Sequence, residues 1–291
     1  MALNLQIFKT RALTAVVFVV VMMGGLLWNK WSFFLLFSIV HFGCWIEYQK
    51  LLVKINPDYS KIIPAHRYGI MIAGWCILLY FSNDELWLFG INLREVGLWT
   101  GILSMIILPL IIFIESRAIF IKNMAQSVFG LLYISVPIGV LVDIRMTTSD
   151  LFFWGMDQYL FYVFFIILTL WINDTMAYVV GSFIGKRPLS SISPKKTWEG
   201  TIGGILLAVG VMTLIGNSAG IEMIDAIVIS AIASISGTYG DLFESRLKRM
   251  AGVKDSGQIM PGHGGFLDRF DSLLFAAVFT WFYISLFVML I

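Results

Sequence analysis

Long apolar runs constrain this chain more than any other feature of its sequence. They follow one another from near the first residue to near the last, separated only by short polar stretches. A helix needs about 20 apolar residues to cross a bilayer, whose interior cannot satisfy an unpaired backbone. The chain therefore predicts an all-α polytopic membrane protein with about nine transmembrane helices. The runs cover approximately residues 13–28, 31–46, 68–82, 97–114, 127–143, 158–180, 201–217, 224–241 and 272–290.

The composition excludes a water-soluble domain of the usual kind. Apolar residues make up 59% of the 291 positions and charged residues 13%, about half of the roughly 25% typical of soluble domains. Aromatic residues alone account for 15%, which excludes a disordered chain. No alternation of apolar and polar residues over about ten positions dominates, so the predicted spans are helices and not barrel strands.

The lysine and arginine residues fall almost entirely on one side of the predicted membrane. If the N-terminus is cytoplasmic and there are nine spans, 17 of the 20 lie in cytoplasmic segments. The other three are Lys30, Arg94 and Arg145. Because cytoplasmic loops retain positive residues, this asymmetry predicts a cytoplasmic N-terminus and an outer C-terminus. We expect a multi-pass protein of the cell (inner) membrane, with its chemistry on the cytoplasmic face.

The stretch 171–200 carries the first group of candidate functional residues. Asp174 lies in the sixth predicted span near its inner end, where an ionisable side chain normally faces a wet cavity or a partner. Two ammonium groups and two hydroxyls then fall within five residues: Ser193, Lys195, Lys196 and Thr197. This set suits a phosphate ligand, or alternatively the anionic head groups of membrane lipids. The pair Gly181 and Gly185 favours close helix packing.

Four acidic residues near the eighth and ninth spans form the second group. They lie in pairs three residues apart, so the members of each pair share one helix face. The pairs are Asp241 with Glu244 and Asp268 with Asp271. Carboxylates in this arrangement suit a hard cation that takes oxygen ligands.

The loop between these pairs contains Lys254, Asp255 and His263. The histidine lies among glycines that let the backbone approach a ligand closely; the alternative is a local hydrogen bond in a turn. A zinc site is not indicated, because His263 is the only histidine nearby and no cysteine accompanies it.

These residues follow a pattern, Ser-x-x-Lys-Arg, four residues, Lys-Asp, then Pro-x-His-Gly-Gly-x-x-Asp-Arg-x-Asp. With it the chain resembles the phosphatidate cytidylyltransferases, also called CDP-diacylglycerol synthases. The resemblance covers about residues 165–291 well, including 171–178 and 193–200, whereas residues 1–125 match only as apolar spans. The pattern is complete here as Ser245, Lys248, Arg249, Lys254, Asp255, Pro261, His263, Gly264, Gly265, Asp268, Arg269 and Asp271.

The resemblance implies transfer of a cytidylyl group from CTP to phosphatidic acid in phospholipid biosynthesis, which releases pyrophosphate and leaves CDP-diacylglycerol in the bilayer. It implies a divalent cation such as Mg²⁺, leaves open a second, monovalent cation, and implies a homodimer among membrane lipids. No nucleic acid is expected as a partner. It also implies two regions, an N-terminal part of about four spans over 1–125 and a catalytic part of about five spans over 126–291.

Residue chemistry and resemblance together assign three roles. Catalytic roles are predicted for Lys254, Asp255, Asp271 and Asp174. Substrate binding is predicted for Asn173, Arg187, Ser193, Lys195, Lys196, Thr197, Lys248, Arg249, His263 and Arg269. Metal binding is predicted for Asp241, Asp268 and Glu244.

Two other functions stay open at this point. A cytidylyltransferase or kinase acting on another lipid, such as a polyprenol, would need the same phosphate chemistry and equally generic apolar helices. An anion transporter is disfavoured, because transporters bind near the bilayer midplane between inverted repeats. Here the spans that flank the two motif loops lack midplane charges, and no repeat is visible.

Overall fold

The computed structural model describes residues 5–115, 120–258 and 264–288, and most of these are helical. Two π-helical turns also occur, Leu131–Ser135 and Ile284–Val288. In the described residues the α-helices are α1 (Leu5–Leu27), α2 (Lys30–Ile55), α3 (Pro64–Tyr80), α4 (Leu93–Glu115), α5 (Phe120–Gly130), α6 (Val136–Met146), α7 (Gln158–Ile184), α8 (Trp198–Ala219), α9 (Met223–Met250) and α10 (Leu267–Tyr283).

Seven helical segments of the described residues are long and apolar enough to cross a membrane, by length and composition. The predicted all-α polytopic class is thus confirmed, while the exact number of crossings stays a prediction. A shorter apolar helix, Val16–Leu27, overlaps the first predicted run, and the 17-residue α3 overlaps the third. The seven are Lys30–Ile55, Leu93–Ile114, Ile121–Met146, Gln158–Ile184, Trp198–Ala219, Met223–Met250 and Leu267–Val288.

Two small hairpins interrupt the helices, and each leads directly into one. Strands β1 (Trp87–Leu88) and β2 (Ile91–Asn92) precede α4, while β3 (Phe152–Phe153) and β4 (Met156–Asp157) precede α7. Both two-residue turns have the sequence aromatic-Gly with positive φ at both positions, which matches the twist of paired strands. Asp157 then caps α7, because its Oδ1 accepts hydrogen bonds from the first amides of that helix.

The chain divides into two compact units, residues 1–146 with 250–269 and residues 147–249 with 270–291. This division describes compactness, whereas the predicted boundary between residues 125 and 126 is a functional one and stays a prediction. In the first unit, the core lies along α2, with Phe33, Phe37 and Trp45 fully buried. Ser135 Oγ lies within hydrogen-bond distance of His41 Nε2, at 3.0 Å, and accepts from Trp45 Nε1, at 2.9 Å.

In the second unit, α7 and α8 pack against each other through small residues. A Cβ built at Gly204 would lie 2.7 Å from Ala177 Cβ and 2.8 Å from the Ala177 backbone nitrogen. A Cβ at Gly181 would lie 3.2 Å from Thr197 Oγ1. Gly181 therefore allows the two helices to pack closely, as predicted from its spacing to Gly185.

Candidate functional site

Three carboxylates meet in the second unit, where α10 begins beside α9. Asp241 and Glu244 lie one turn apart on α9, and Asp271 lies in the first turns of α10. One oxygen of each lies within 4.8 Å of the others. The two helices can come this close because Gly240 has no side chain: a Cβ there would lie 2.5 Å from the Asp271 carbonyl oxygen. We call Asp241, Glu244 and Asp271 the carboxylate cluster.

Lysine side chains contact two members of the carboxylate cluster. Lys196, from the loop before α8, forms an ion pair with Asp241, and Lys248 pairs with the fully buried Glu244 one turn away on α9. Burial lowers the pKa of the Lys196 ammonium, whereas the nearby carboxylates of Asp174 and Asp271 act in the opposite direction. The carboxylates therefore offset part of the effect of burial on this ammonium, and burial remains the larger of the two influences.

A cavity of about 460 Å³ opens beside Asp241, within the 300–1,000 Å³ range of typical ligand sites. Its walls come from α7, the loop before α8, α8 itself and α9. The cavity brings together seven of the residues predicted from the sequence. Its ammonium, hydroxyl and amide groups suit phosphate oxygens, and its two carboxylates suit a cation. They are Asn173, Asp174, Ser193, Lys195, Lys196, Thr197 and Asp241.

The loop over residues 185–197 is closed by hydrogen bonds between its two ends. The Leu189 amide donates to the Lys196 carbonyl at 2.7 Å, and the Trp198 amide donates to the Arg187 carbonyl at 2.9 Å. Glu199 Oε2 accepts from the amides of Lys186 and Arg187 at 3.0 and 3.1 Å. These hydrogen bonds hold the loop in one conformation. In it Lys196 is half-buried, whereas Lys195 and Arg187 are exposed.

Glu199 is not among the residues predicted from the sequence, although an acidic residue near the start of a predicted helix is an available signal. Thr197, which precedes it, is the N-cap of α8, and its Oγ1 accepts from the Gly200 amide at 3.1 Å. Because the hydroxyl oxygen accepts this bond, its proton is directed elsewhere. Thr197 thus combines a structural role with its place in the cavity wall.

Four more predicted residues belong to the first unit. Lys254 and Asp255 are exposed in the loop before α10, and Arg269 is exposed in the first turn of that helix. Asp268, also in the first turn, accepts hydrogen bonds through Oδ2 from the amides of Ser256 and Gly265, both at 2.9 Å. Asp268 therefore binds the loop that precedes its own helix; the joint metal binding by Asp268 and Asp241 stays a prediction.

Three other predicted residues have different outcomes. Arg249 is exposed near the end of α9, and Lys248 is committed to Glu244. The candidate His263 lies outside the described residues, so its predicted substrate contact stays a prediction.

The carboxylate cluster fits a hard divalent cation, because its donors are all oxygens and converge within one small volume. Asp241 and Glu244 were predicted as ligands from the sequence, whereas Asp271 was predicted to be catalytic. The structure places Asp271 with the other two. The sequence could not indicate this. Asp268 and Asp271 lie three residues apart near the start of α10, and this spacing does not show which of them approaches Asp241 and Glu244.

Comparison with known proteins identifies the class to which this fold and site belong. The family model described as "Cytidylyltransferase family" matches residues 9–287, and the chain therefore belongs to this family.

Relatives within the family agree on a narrower name. The chain is 36% identical over 228 residues to the phosphatidate cytidylyltransferase of Bacillus subtilis, covering 75% of this chain and 78% of the relative. It is 32% identical over 276 residues to that of Staphylococcus saprophyticus, covering 92% and 95%. A chloroplastic phosphatidate cytidylyltransferase of Arabidopsis thaliana shares 40% identity over 116 residues, 39% of this chain and 29% of the relative. The resemblance seen in the sequence is thus confirmed.

Proposed function

We propose that this protein transfers a cytidylyl group from CTP to phosphatidic acid, giving CDP-diacylglycerol and pyrophosphate. The observation that carries the proposal is the cavity that joins Lys195, Lys196 and Thr197 to Asp241 in one unit. Such a cavity offers cations and hydroxyls for phosphate oxygens beside carboxylates that suit a metal ion. The names of the relatives supply the two substrates.

The residues of the cavity act mainly by binding and orienting two polyanions. The acceptor phosphate is already an anion, so attack on the α-phosphate of CTP needs little help from a base. The difficulty is charge repulsion, which phosphoryl-transfer enzymes overcome with cations and with fixed in-line geometry. Lys195 and Lys196 would neutralise phosphate charge, while the hydroxyls of Ser193 and Thr197 would donate hydrogen bonds. The N-terminus of α8 adds backbone amides that favour an anion.

The carboxylate cluster of Asp241, Glu244 and Asp271 would hold a divalent cation such as Mg²⁺, with Asp268 as the further ligand predicted from the sequence. When bound, that ion would supply charge neutralisation at the phosphates. For Asp271 and Asp174, which were predicted to be catalytic, we propose that their carboxylates favour the charged form of the Lys196 ammonium and oppose the effect of burial on its pKa. A second, monovalent cation and a homodimer stay predictions that follow from the family.

We also propose nine spans with a cytoplasmic N-terminus, an outer C-terminus and the cavity on the cytoplasmic face of the inner membrane. The support is the asymmetry of 17 lysine and arginine residues against three, which a reversed orientation would place on the wrong side. This location would give the site access both to cytoplasmic CTP and to a lipid within the bilayer.

The experiment that tests the proposed function follows the two ends of the CTP triphosphate. Detergent-purified protein is incubated with phosphatidic acid, Mg²⁺ and CTP labelled with ³²P at either the α or the γ position. We expect α-label, and no γ-label, in the organic-soluble lipid. Transfer of γ-label would indicate a lipid kinase, and α-transfer to a polyprenyl phosphate but not to phosphatidic acid would indicate another acceptor. No lipid labelling from either CTP would contradict the proposal.

A further inference from the structure

The beginning of α10, where Asp268 lies, is bound by a carboxylate from a distant part of the chain. Glu47 lies on α2, is 1% exposed, and accepts hydrogen bonds from the Phe266 and Leu267 amides, both at 2.9 Å. Phe266 directly precedes α10 and Leu267 begins it, and amides at a helix start have no carbonyl partner within the helix. Glu47 therefore caps α10 from another helix of the same unit.

A single hydroxyl connects this carboxylate to Asp268. Ser256 Oγ lies 2.7 Å from Glu47 Oε2 and 2.9 Å from Asp268 Oδ2. Since a hydroxyl has one proton, it donates to one carboxylate at a time. The Ser256 amide donates to Asp268 in addition, so the two acidic side chains share the same short segment of loop.

Glycines on both sides of the contact make room for this arrangement. A Cβ at Gly265, the second glycine of the family pattern, would collide with both carboxylate oxygens of Glu47, and a Cβ at Gly257 would collide with one of them. On α2, one turn before Glu47, a Cβ at Gly43 would collide with the Phe266 ring. The face of α2 with Gly43 and Glu47 is thus shaped to receive the beginning of α10.

We infer that Glu47 is a positioning residue for the cytidylyl-transfer site: it fixes the loop around Gly265 and thereby the carboxylate of Asp268. The inference rests on the proposed function, because it assumes that Asp268 takes part in metal binding. Residues that orient a metal ligand without touching the metal typically change its affinity by about 10- to 100-fold. This role would also connect the N-terminal helices, which the family pattern does not reach, with the reaction.

The first test replaces Glu47 with glutamine, which keeps the shape but offers only one acceptor oxygen. We expect Glu47→Gln to raise the Mg²⁺ concentration for half-maximal activity by about tenfold or more. We also expect faster amide hydrogen exchange in peptides that cover residues 264–270. Ser256→Ala removes the shared hydroxyl with little change in volume. It should raise the Mg²⁺ requirement and the exchange rate as well, but by less. This variant also tests the inference if Glu47→Gln does not fold.

The matched control is Ser135→Ala, which removes a buried hydroxyl from the same unit but does not touch the loop. It should lower thermal stability and leave both the Mg²⁺ requirement and the exchange of 264–270 unchanged. If Glu47→Gln and Ser256→Ala speed up the exchange but retain the wild-type Mg²⁺ requirement, Glu47 is only structural and the inference is wrong. A wild-type protein that transfers no cytidylyl group would instead overturn the proposed function and this inference with it.

Discussion

Two adjacent residues, Lys195 and Lys196, differ sharply in their surroundings. Lys195 is exposed, whereas Lys196 is half-buried and paired with Asp241. The sequence alone indicates a basic pair for phosphate binding and cannot rank its members, because the partner of Lys196 comes from a helix much later in the chain. Burial and the contact with Asp241 favour Lys196 as the principal phosphate ligand.

We therefore predict that Lys196→Ala lowers kcat/KM for CTP at least about tenfold, since a hydrogen bond to a charged group contributes about 1.5–3 kcal/mol. Lys195→Ala should cost clearly less. Steady-state kinetics at physiological salt measures both, with the exposed Lys61 on another loop as the matched control for loss of one positive charge. Normal kinetics in both cavity variants would mean that the loop is only a surface patch for anionic lipids.

Glu47 and Glu199 show where residue-level prediction from the sequence ended. Both accept hydrogen bonds from backbone amides. Glu199 binds the loop that precedes its own helix, and Glu47 binds the start of α10 in the same unit. Glu199 has a local signal, an acid at a helix start. Glu47 has none, because it lies just beyond the second predicted run and its partners are about 220 positions away along the chain.

Hydropathy predicted where these helices lie but not where they end. The second run was predicted to end near residue 46, whereas α2 continues to Ile55, and the eighth was predicted to end near 241, whereas α9 continues to Met250. Hydropathy reports only the apolar part of a helix, while backbone hydrogen bonds continue it until a stop. Those stops are Pro57, which disfavours helix at the preceding residue, and Gly252 with φ of +68°.

The contact between α7 and α8 gives a prediction about stability. Gly204→Leu should push the two helices apart, because even a Cβ there meets the backbone of Ala177. Overpacking of this kind typically costs about 1–3 kcal/mol. Gly210→Leu is the matched control, since it lies on the same helix with nothing within 4 Å of its Cβ position. Thermal unfolding in detergent should show a lower midpoint for Gly204→Leu alone; equal midpoints would contradict this packing.

For the molecule as a whole, the charge asymmetry predicts which loops reach the cytoplasm. Single cysteines at Ser191 and Gln258, both exposed positions, should be protected from membrane-impermeant thiol reagents in intact cells. A cysteine at Phe89, which is 95% exposed at the tip of the first hairpin, should be labelled. The native Cys44 and Cys76 are buried and should give little background. Labelling of Ser191→Cys from outside would overturn the proposed orientation.

The division into two units could not be predicted from the sequence. Residues 250–269 follow α9 directly, yet they pack with the first unit, because their partner Glu47 lies on α2. The sequence did predict the all-helical membrane class and most of the cavity wall, since apolar length and the spacing of charges are local properties. Contacts between residues far apart in the chain are not local properties, and the sequence did not predict them.

We propose above that carboxylates of this chain would hold a divalent ion for cytidylyl transfer. The most direct measurement is the rate of lipid labelling from α-³²P-CTP, titrated with Mg²⁺, for the wild type and for Asp241→Asn and Asp268→Asn. Both substitutions keep shape and remove charge, so we expect folded proteins whose activity falls at least about a hundredfold, as when a principal electrostatic contribution is lost. A near-normal rate with unchanged Mg²⁺ dependence in either variant would contradict the role of that residue.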